Sequence, residues 1–279
     1  MLNGIGTGAP DAPLRYGVHV QNRNETAVDR AVESLRLNGF AIIDGGYSAD
    51  ELAALANSFE RAQAGHIDRM GGIDRLKALD EHHTVRLPLS YEPSMLRLAM
   101  NANVLAACRR LVGNYIILNQ QNGVINPPNG EMYNQGYWHR DLAYQHYTSS
   151  RPLAINALFC LDEFRTDNGA TLAIPGSHKI EEFPSDEMVK ACAIQVQAPA
   201  GSFILLDCMT YHTGGVNHSS APRRAVNHVY TIPLIKQQID MPRTLGPDFT
   251  DDAEARKLLG YGIETPLSVE DYIAGRAGK

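Results

Sequence analysis

The sequence has no uninterrupted apolar run long enough to cross a membrane, although 44% of its 279 residues are apolar. A membrane-spanning helix needs roughly 20 predominantly apolar residues. Residues 1–17 also lack the basic stretch followed by an apolar run that marks a secretory signal. We therefore predict a cytoplasmic protein with no membrane partner and with enough chain to bury a substantial core.

Cysteine is scarce, and its few positions are far apart in the chain. There is no C-x-x-C pair, so neither a zinc knuckle nor a disulfide framework is indicated. Small, buried apolar side chains are the expected role of all four residues, which are Cys108, Cys160, Cys192 and Cys208.

An excess of basic residues is absent as well. The chain has 25 Lys and Arg against 31 Asp and Glu, a formal net charge of −6. The cations are scattered along the sequence rather than clustered on one segment. Binding to nucleic acid depends on a basic patch or stripe, so we predict no nucleic-acid partner.

The part of the chain from about residue 20 to residue 112 has mainly helical patterns. Apolar residues recur at three-to-four-residue spacing up to Asn38-Gly39, where a helix is expected to end before a short strand at Phe40–Ile43. Ser48 and Glu51 have the spacing of a capping box at the start of a second helix. The polar segment 61–88 is typical of a mobile excursion rather than a core element, and a third helix is expected over 94–112.

From about residue 114 to residue 235 the pattern changes to short β-type runs separated by Gly, Pro and Asn. Many short strands with turn signals favour a barrel or a double-sheet jelly roll, with the early helices packed against one sheet. No linker or repeat is visible. We therefore predict a mainly β fold with flanking helices, in one domain over residues 1–279 that includes a C-terminal tail.

A candidate metal site begins with His139 and Asp141. In an extended strand, alternate side chains point to the same face, so this imidazole and this carboxylate could bind one metal ion. A third ligand would complete the two-His-one-carboxylate facial triad of non-haem Fe(II) oxygenases. His212 is the candidate, because a strand ends just before it and the glycines that follow it allow the backbone to fold closely around a small site.

Four short motifs occur in a specific order and spacing. They are His139-Arg140-Asp141, the segment from Asn168 to His178, His212 with Gly214, Asn217 and Ser219, and Pro222-Arg223-Arg224-Ala225. Together, over about residues 114–235, they resemble the phytanoyl-CoA dioxygenase family of Fe(II)/2-oxoglutarate oxygenases. The resemblance implies a double-stranded β-helix core, of the jelly-roll or cupin-like type, braced by the N-terminal helices.

The resemblance also implies roles for individual residues. His139, Asp141 and His212 correspond to the iron ligands, and Arg223 to the residue that pairs with the distal carboxylate of 2-oxoglutarate. A guanidinium suits that task because it offers a two-pronged donor to a carboxylate. Thr171 corresponds to a hydroxyl beside the cosubstrate. Relatives often place a Gln where this chain has Gly136, so the neighbouring Gln135 is the candidate only if a bulge redirects it.

The implied reaction uses Fe(II), 2-oxoglutarate and O2 to hydroxylate a small-molecule metabolite, through hydrogen abstraction by an Fe(IV)-oxo species and with release of succinate and CO2. Desaturation or cyclisation is an alternative outcome, and a cupin-like isomerase or hydrolase with the same metal ligands is an alternative class. The residues do not decide between a monomer and a homodimer. Substrate recognition is expected from loops at the open mouth and from the segments 61–88 and 241–279. The residues do not decide whether Glu131, Tyr144, His146 or Asn156 contacts the substrate.

Overall fold

A six-stranded antiparallel sheet lies at the centre of this computed structural model, which describes residues 17–18, 20–142 and 147–277. A smaller antiparallel sheet of three short strands faces it. The larger sheet has the strand order β1-β7-β4-β9-β3-β2, and the smaller has the order β6-β5-β8. The strands are β1 (Phe40–Asp44), β2 (Thr84–Arg86), β3 (Ile117–Asn126), β4 (Ala154–Cys160), β5 (Leu172–Ala173), β6 (Ile194–Gln195), β7 (Ser202–Asp207), β8 (His212–Thr213) and β9 (Arg223–Thr231).

The two faces of the large sheet carry different cores, as the alternation of side chains along a strand requires. In β7, Phe203 and Leu205 belong to the core beneath the helices, whereas Ile204 and Leu206 belong to a smaller core shared with the three-stranded sheet. Ala173 of β5 closes this smaller core from the other side. The fold is therefore mainly β, with one sheet face covered by helices and the other by the second sheet, as the sequence predicted.

The flanking helices begin and end at the residues that local chemistry favours. Thr26 caps α1 in a capping box with Asp29, and Gly39 ends that helix in the left-handed conformation at φ 85°. Ser48 and Glu51 form the predicted capping box of α2. The helices are α1 (Ala27–Asn38), α2 (Ala49–Arg69), α3 (Ile73–Ala78), α4 (Leu96–Ala99), α5 (Ala102–Leu111), α6 (Asp186–Cys192), α7 (Met241–Leu245), α8 (Ala253–Leu259) and α9 (Val269–Ala277).

The prediction that 61–88 is an excursion outside the core is wrong. Helix α2 extends to Arg69, and β2 pairs antiparallel with β3 at the edge of the large sheet. Leu76 and Val85 are buried. The segment contributes so few apolar side chains that its sequence pattern stays polar, and its order depends on hydrogen bonds to a strand far along the chain.

The predicted third helix is divided into two. Asn101 interrupts it, because its side chain accepts hydrogen bonds from the backbone N–H groups of Asn103 and Val104 and so starts α5 afresh. The C-terminal segment also differs from expectation: Met241 and Leu259 are fully buried in the helix-covered core. No helix within the described residues has both the length and the apolar character needed to cross a membrane.

Candidate active site

The candidate metal ligands are brought together by a single backbone pairing. His139 and His212 form an isolated antiparallel bridge, with N–H to carbonyl distances of 3.0 and 3.1 Å between the two residues. Asp141 N–H donates to the carbonyl of Cys208 at 3.0 Å. The segment 139–141 therefore lies alongside the β7–β8 connection. This pairing places His139 and Asp141 next to His212, although His212 is distant in the sequence.

The three side chains have the spacing of ligands around one ion. Their nearest ligand atoms all lie within 4.8 Å of one another. The His212 Nε2 to Asp141 Oδ1 distance is 3.7 Å, and the ring centroids of His139 and His212 are 4.4 Å apart. Two imidazoles and a carboxylate suit a non-haem Fe(II) site.

Both rings present the nitrogen that a metal requires. His139 Nδ1 lies 2.7 Å from the carbonyl of Tyr137, and His212 Nδ1 lies 3.0 Å from the carbonyl of Thr210. Since a carbonyl only accepts, each Nδ1 carries the proton and each Nε2 keeps its lone pair. Burial, reinforced by the neighbouring His212, lowers the pKa of His139. The donor set therefore fits Fe(II).

Arg223 supplies a buried cation on the side of the large sheet where the three candidate ligands lie. Its guanidinium stacks on Phe164, with Cζ 3.8 Å from the ring centroid, and its Nε is buried with no hydrogen-bond partner among the described residues. Burial lowers the pKa of Arg223, and the Tyr133 hydroxyl beside it acts in the opposite direction. A buried guanidinium with an unused donor fits a carboxylate ligand.

The pocket around these groups includes all six predicted site residues, which are His139, Asp141, His212, Arg223, Thr171 and Gln135. Thr171 is buried directly before β5. Gln135 lies in a short 3₁₀ helix, Asn134–Gly136, where the two-residue alternation of a strand does not apply. This turn explains how Gln135 lines the pocket even though it is displaced by one position from the usual Gln.

Three further pocket residues were not assigned a role from the sequence. Asn156 donates through Nδ2 to Asp141 Oδ2 at 3.0 Å. Tyr133 lies beside Arg223, and Asn227 lines the same wall. Asn227 was predictable, because it is four residues from Arg223 on β9 and so shares its face, whereas Tyr133 is placed by an irregular loop. Tyr144 and His146 lie outside the described residues.

Other polar residues near the motifs have structural contacts. Arg224 points to the opposite face of β9 and pairs with Asp162 at 2.7 Å and Glu60 at 2.5 Å. Asn217 is fully buried and donates to the carbonyls of Asn126 and Ala221, which fixes the turn before β9. His178 is buried beside the carbonyl of Arg36.

Comparison with known proteins assigns the family. The family model described as phytanoyl-CoA dioxygenase (PhyH) matches residues 35–225. The uncharacterized protein Rv1501 of Mycobacterium tuberculosis is 30% identical over 91% of this chain and 94% of its own length. Ectoine dioxygenase of Bordetella bronchiseptica is 24% identical over 77% of this chain and 76% of its own. The chain belongs to the phytanoyl-CoA dioxygenase family.

Solved structures share the fold. EctD from S. alaskensis, crystallised with 2-oxoglutarate and 5-hydroxyectoine, superposes with a TM-score of 0.60 at 23% identity, covering 78% of this chain and 80% of that one. The epimerase SnoN from nogalamycin biosynthesis gives a TM-score of 0.53 at 20% identity, covering 74% and 83%. The predicted double-stranded β-helix core is confirmed.

Family membership defines the class of enzyme and its requirements. The protein is a 2-oxoglutarate-dependent dioxygenase, an oxidoreductase that uses Fe(II), 2-oxoglutarate and O2. Its family acts on small-molecule substrates. The predicted class is confirmed over the alternative of a cupin-like isomerase or hydrolase.

Proposed function

We propose that this enzyme hydroxylates a C–H bond of a small-molecule metabolite, with His139, Asp141 and His212 as the Fe(II) ligands and Arg223 as the anchor for 2-oxoglutarate. The observation that carries the proposal is the placement of a His-Asp-His cluster and a buried guanidinium in one pocket. When bound, Fe(II) supplies oxygen activation coupled to decarboxylation of 2-oxoglutarate to succinate and CO2.

The protein's own contribution is positioning. The carbonyls of Tyr137 and Thr210 fix the rings of His139 and His212, and Asn156 holds Asp141 Oδ2. Preset ligand orientations reduce the cost of assembling the site when the metal binds.

Arg223 would hold the far carboxylate of the cosubstrate away from water. The guanidinium lies between the Phe164 ring and the pocket, so a carboxylate that reaches it exchanges its water for charge-assisted hydrogen bonds. Thr171 and Gln135 are proposed as further polar contacts to 2-oxoglutarate, because both line this pocket. The family acts on small-molecule substrates, which favours a metabolite over a protein substrate.

The first experiment is an anaerobic titration with Fe(II) and 2-oxoglutarate, followed by oxygen exposure with a library of metabolites. We expect one compound to stimulate succinate release and to gain one oxygen atom. Replacement of His212 by Ala should abolish both signals. Loss of two hydrogens from the product would instead establish desaturation or cyclisation, and an unchanged mass with inverted stereochemistry would establish epimerisation.

A pair of adjacent arginines tests the anchor. Arg223→Lys keeps the charge but loses the two-pronged donor, so we expect the KM for 2-oxoglutarate to rise at least ~10-fold while Fe(II) still binds. Arg224→Lys is the matched control, because Arg224 points to the other face of the same strand and pairs with Asp162. Equal KM values in the two variants would refute the assignment of Arg223.

A further inference from the structure

A second cluster of metal-ligating side chains lies outside the candidate iron site. His82 and His83 follow α3, and Glu131 belongs to the loop after β3. Their nearest ligand atoms all lie within 4.8 Å of one another. Glu131 Oε1 is 3.1 Å from His83 Nε2 and 3.9 Å from His82 Nε2, so one carboxylate oxygen faces both rings.

The two imidazoles are held side by side. Their ring centroids are 4.0 Å apart, and their side chains are only 20% and 15% exposed, for His82 and His83 respectively. Two imidazoles held this close to one carboxylate form a compact set of nitrogen and oxygen donors.

The two nitrogens of His82 have different surroundings. Its Nδ1 is buried and has no hydrogen-bond partner among the described residues. Its Nε2 faces Glu131 Oε1, so Nε2 is the nitrogen that would bind the ion.

The donor set and its spacing match a borderline-soft divalent cation. Zinc binds imidazole and carboxylate donors at about 2.0–2.2 Å, which places tetrahedral neighbours roughly 3.4 Å apart. The observed separations between Glu131 Oε1 and the two Nε2 atoms, 3.1 and 3.9 Å, lie on either side of that value. Calcium and magnesium prefer all-oxygen ligands and do not match this set.

We propose that His82, His83 and Glu131 bind a divalent transition-metal ion, with Zn²⁺ the best chemical match, at a site separate from the iron site. Three protein ligands leave a coordination position for water or a small anion. The bound ion would join two segments that otherwise share a hydrogen bond from Asn134 Nδ2 to the carbonyl of Asp80 at 2.9 Å.

The position of this second site connects it to the oxygenase pocket. The ring of His83 packs edge-on against Tyr133, with centroids 6.3 Å apart, and Tyr133 lines the pocket beside Arg223. A metal clip at His82, His83 and Glu131 would therefore steady the loop that carries Tyr133 and Gln135.

Zinc stoichiometry separates the two sites. After equilibrium dialysis of metal-stripped protein, elemental analysis should give two equivalents of Zn²⁺ for the wild type and one for the His139→Ala/His212→Ala variant. Adding Glu131→Gln to that variant should remove the remaining equivalent and abolish the rise in Tm that zinc produces. Anomalous scattering at the zinc edge in crystals would locate the ion directly.

The matched control is Glu254→Gln, which changes an equally exposed glutamate that pairs with Arg109 instead. It should retain the second equivalent. Glu131 is exposed, so its substitution leaves the core intact, and His83→Gln provides a second variant at the same site. Absence of bound zinc from the His139→Ala/His212→Ala variant would overturn the proposal, as would an equivalent in that variant that survives both Glu131→Gln and His83→Gln.

Discussion

At the scale of single residues, Asn156 determines how Asp141 faces the pocket. The amide of Asn156 donates to Oδ2 of the carboxylate, and Oδ1 is left toward His212, 3.7 Å from its Nε2. We expect Asn156→Ala to weaken Fe(II) binding about 10–100-fold, because the carboxylate loses the partner that orients it. Anaerobic titration calorimetry with Fe(II) measures the change.

The control for this substitution is Asn103→Ala, at an exposed asparagine near the start of α5. It should bind Fe(II) as the wild type does. An Asn156→Ala protein with wild-type affinity would mean that the backbone alone holds Asp141 in place.

Gly214 is a second residue whose identity follows from a close contact. A Cβ at this position would lie 2.0 Å from the Tyr133 hydroxyl oxygen, so the Tyr133 side chain would have to move away from its place beside Arg223. We expect Gly214→Ala to raise the KM for 2-oxoglutarate roughly 10-fold, the equivalent of one lost hydrogen bond. Succinate formation as a function of 2-oxoglutarate concentration provides the measurement.

Gly136→Ala is the neighbouring control for this prediction. Its Cβ would come no closer than 3.4 Å to the flexible end of Met132, which is ordinary contact. If Gly214→Ala folds and keeps the wild-type KM, Tyr133 has no part in holding the cosubstrate anchor.

At the scale of elements, a buried hydrogen-bond network ties the sheet to the segment that follows β2. His228 of β9 lies 3.0 Å from Gln121 Nε2 of β3 and 3.1 Å from the carbonyl of Ala157 in β4. Gln121 also accepts from Leu89 N–H at 3.0 Å and donates to the carbonyl of Met95 at 3.1 Å. The carbonyl of Ala157 requires Nδ1–H on His228, which leaves Nε2 as the acceptor for Gln121.

This network gives the protein a defined pH dependence. Burial lowers the pKa of His228 to about 4, whereas an exposed histidine titrates near 6.5. Between these values the unfolded chain binds a proton that the native state does not, so the free energy of unfolding falls as the pH decreases from about 6.5 to about 4. The expected loss from this residue is about 3 kcal/mol.

Urea unfolding of the wild type and His228→Gln across this pH range tests the assignment. The difference between the two curves should slope through the window and flatten above pH ~6.5. His218→Gln, at an exposed histidine, should follow the wild-type curve. Parallel curves for the wild type and His228→Gln would show that His228 is not the titrating group.

Elements with local signals were predictable, and those that depend on distant partners were not. Gly39 ends α1 and Ser48 begins α2 through contacts within a few residues, so the sequence suffices. Strand β2 has three residues and exists because β3 pairs with it. Asn101 is a third case. The helix breaks at this residue, but the apolar periodicity continues across the break, so the pattern predicted one helix.

At the scale of the whole molecule, the candidate site depends on pairings that no local pattern contains. His139 and Asp141 were identified together because they are two residues apart. His212 had only a weak local signal, and Arg223 was assigned through resemblance to a family. In the structure, the backbone bridge between His139 and His212 brings the candidate ligands together. Arg223 lies on the face of β9 that lines the same pocket. Tyr133 escaped prediction because an irregular loop places its side chain.

The helix-covered core extends from the first helix to the C-terminal segment, and we propose that residues 1–279 form a single domain. Met241 and Leu258 belong to the same buried cluster as Leu35 of α1. Gln237 Nε2 donates to the carbonyls of Leu118 and Leu259 at 2.8 and 2.9 Å, which fastens the C-terminal segment to the start of β3. Val124, near the opposite end of β3, lines the pocket.

This arrangement predicts which C-terminal truncation destroys the fold. A chain that ends at residue 235 loses three core side chains, Met241, Leu258 and Leu259, each worth about 1.5–3 kcal/mol of burial. Their sum is comparable to the roughly 5–15 kcal/mol that stabilises a whole domain, so we expect no cooperative unfolding transition. A chain that ends at residue 267 loses only α9, whose Val269 and Ile273 are 73% and 60% exposed, and should unfold in one transition near the wild-type Tm. Calorimetry of both chains decides the matter, because a cooperative transition in the shorter one would mean that the C-terminal segment is a separate unit rather than part of the core.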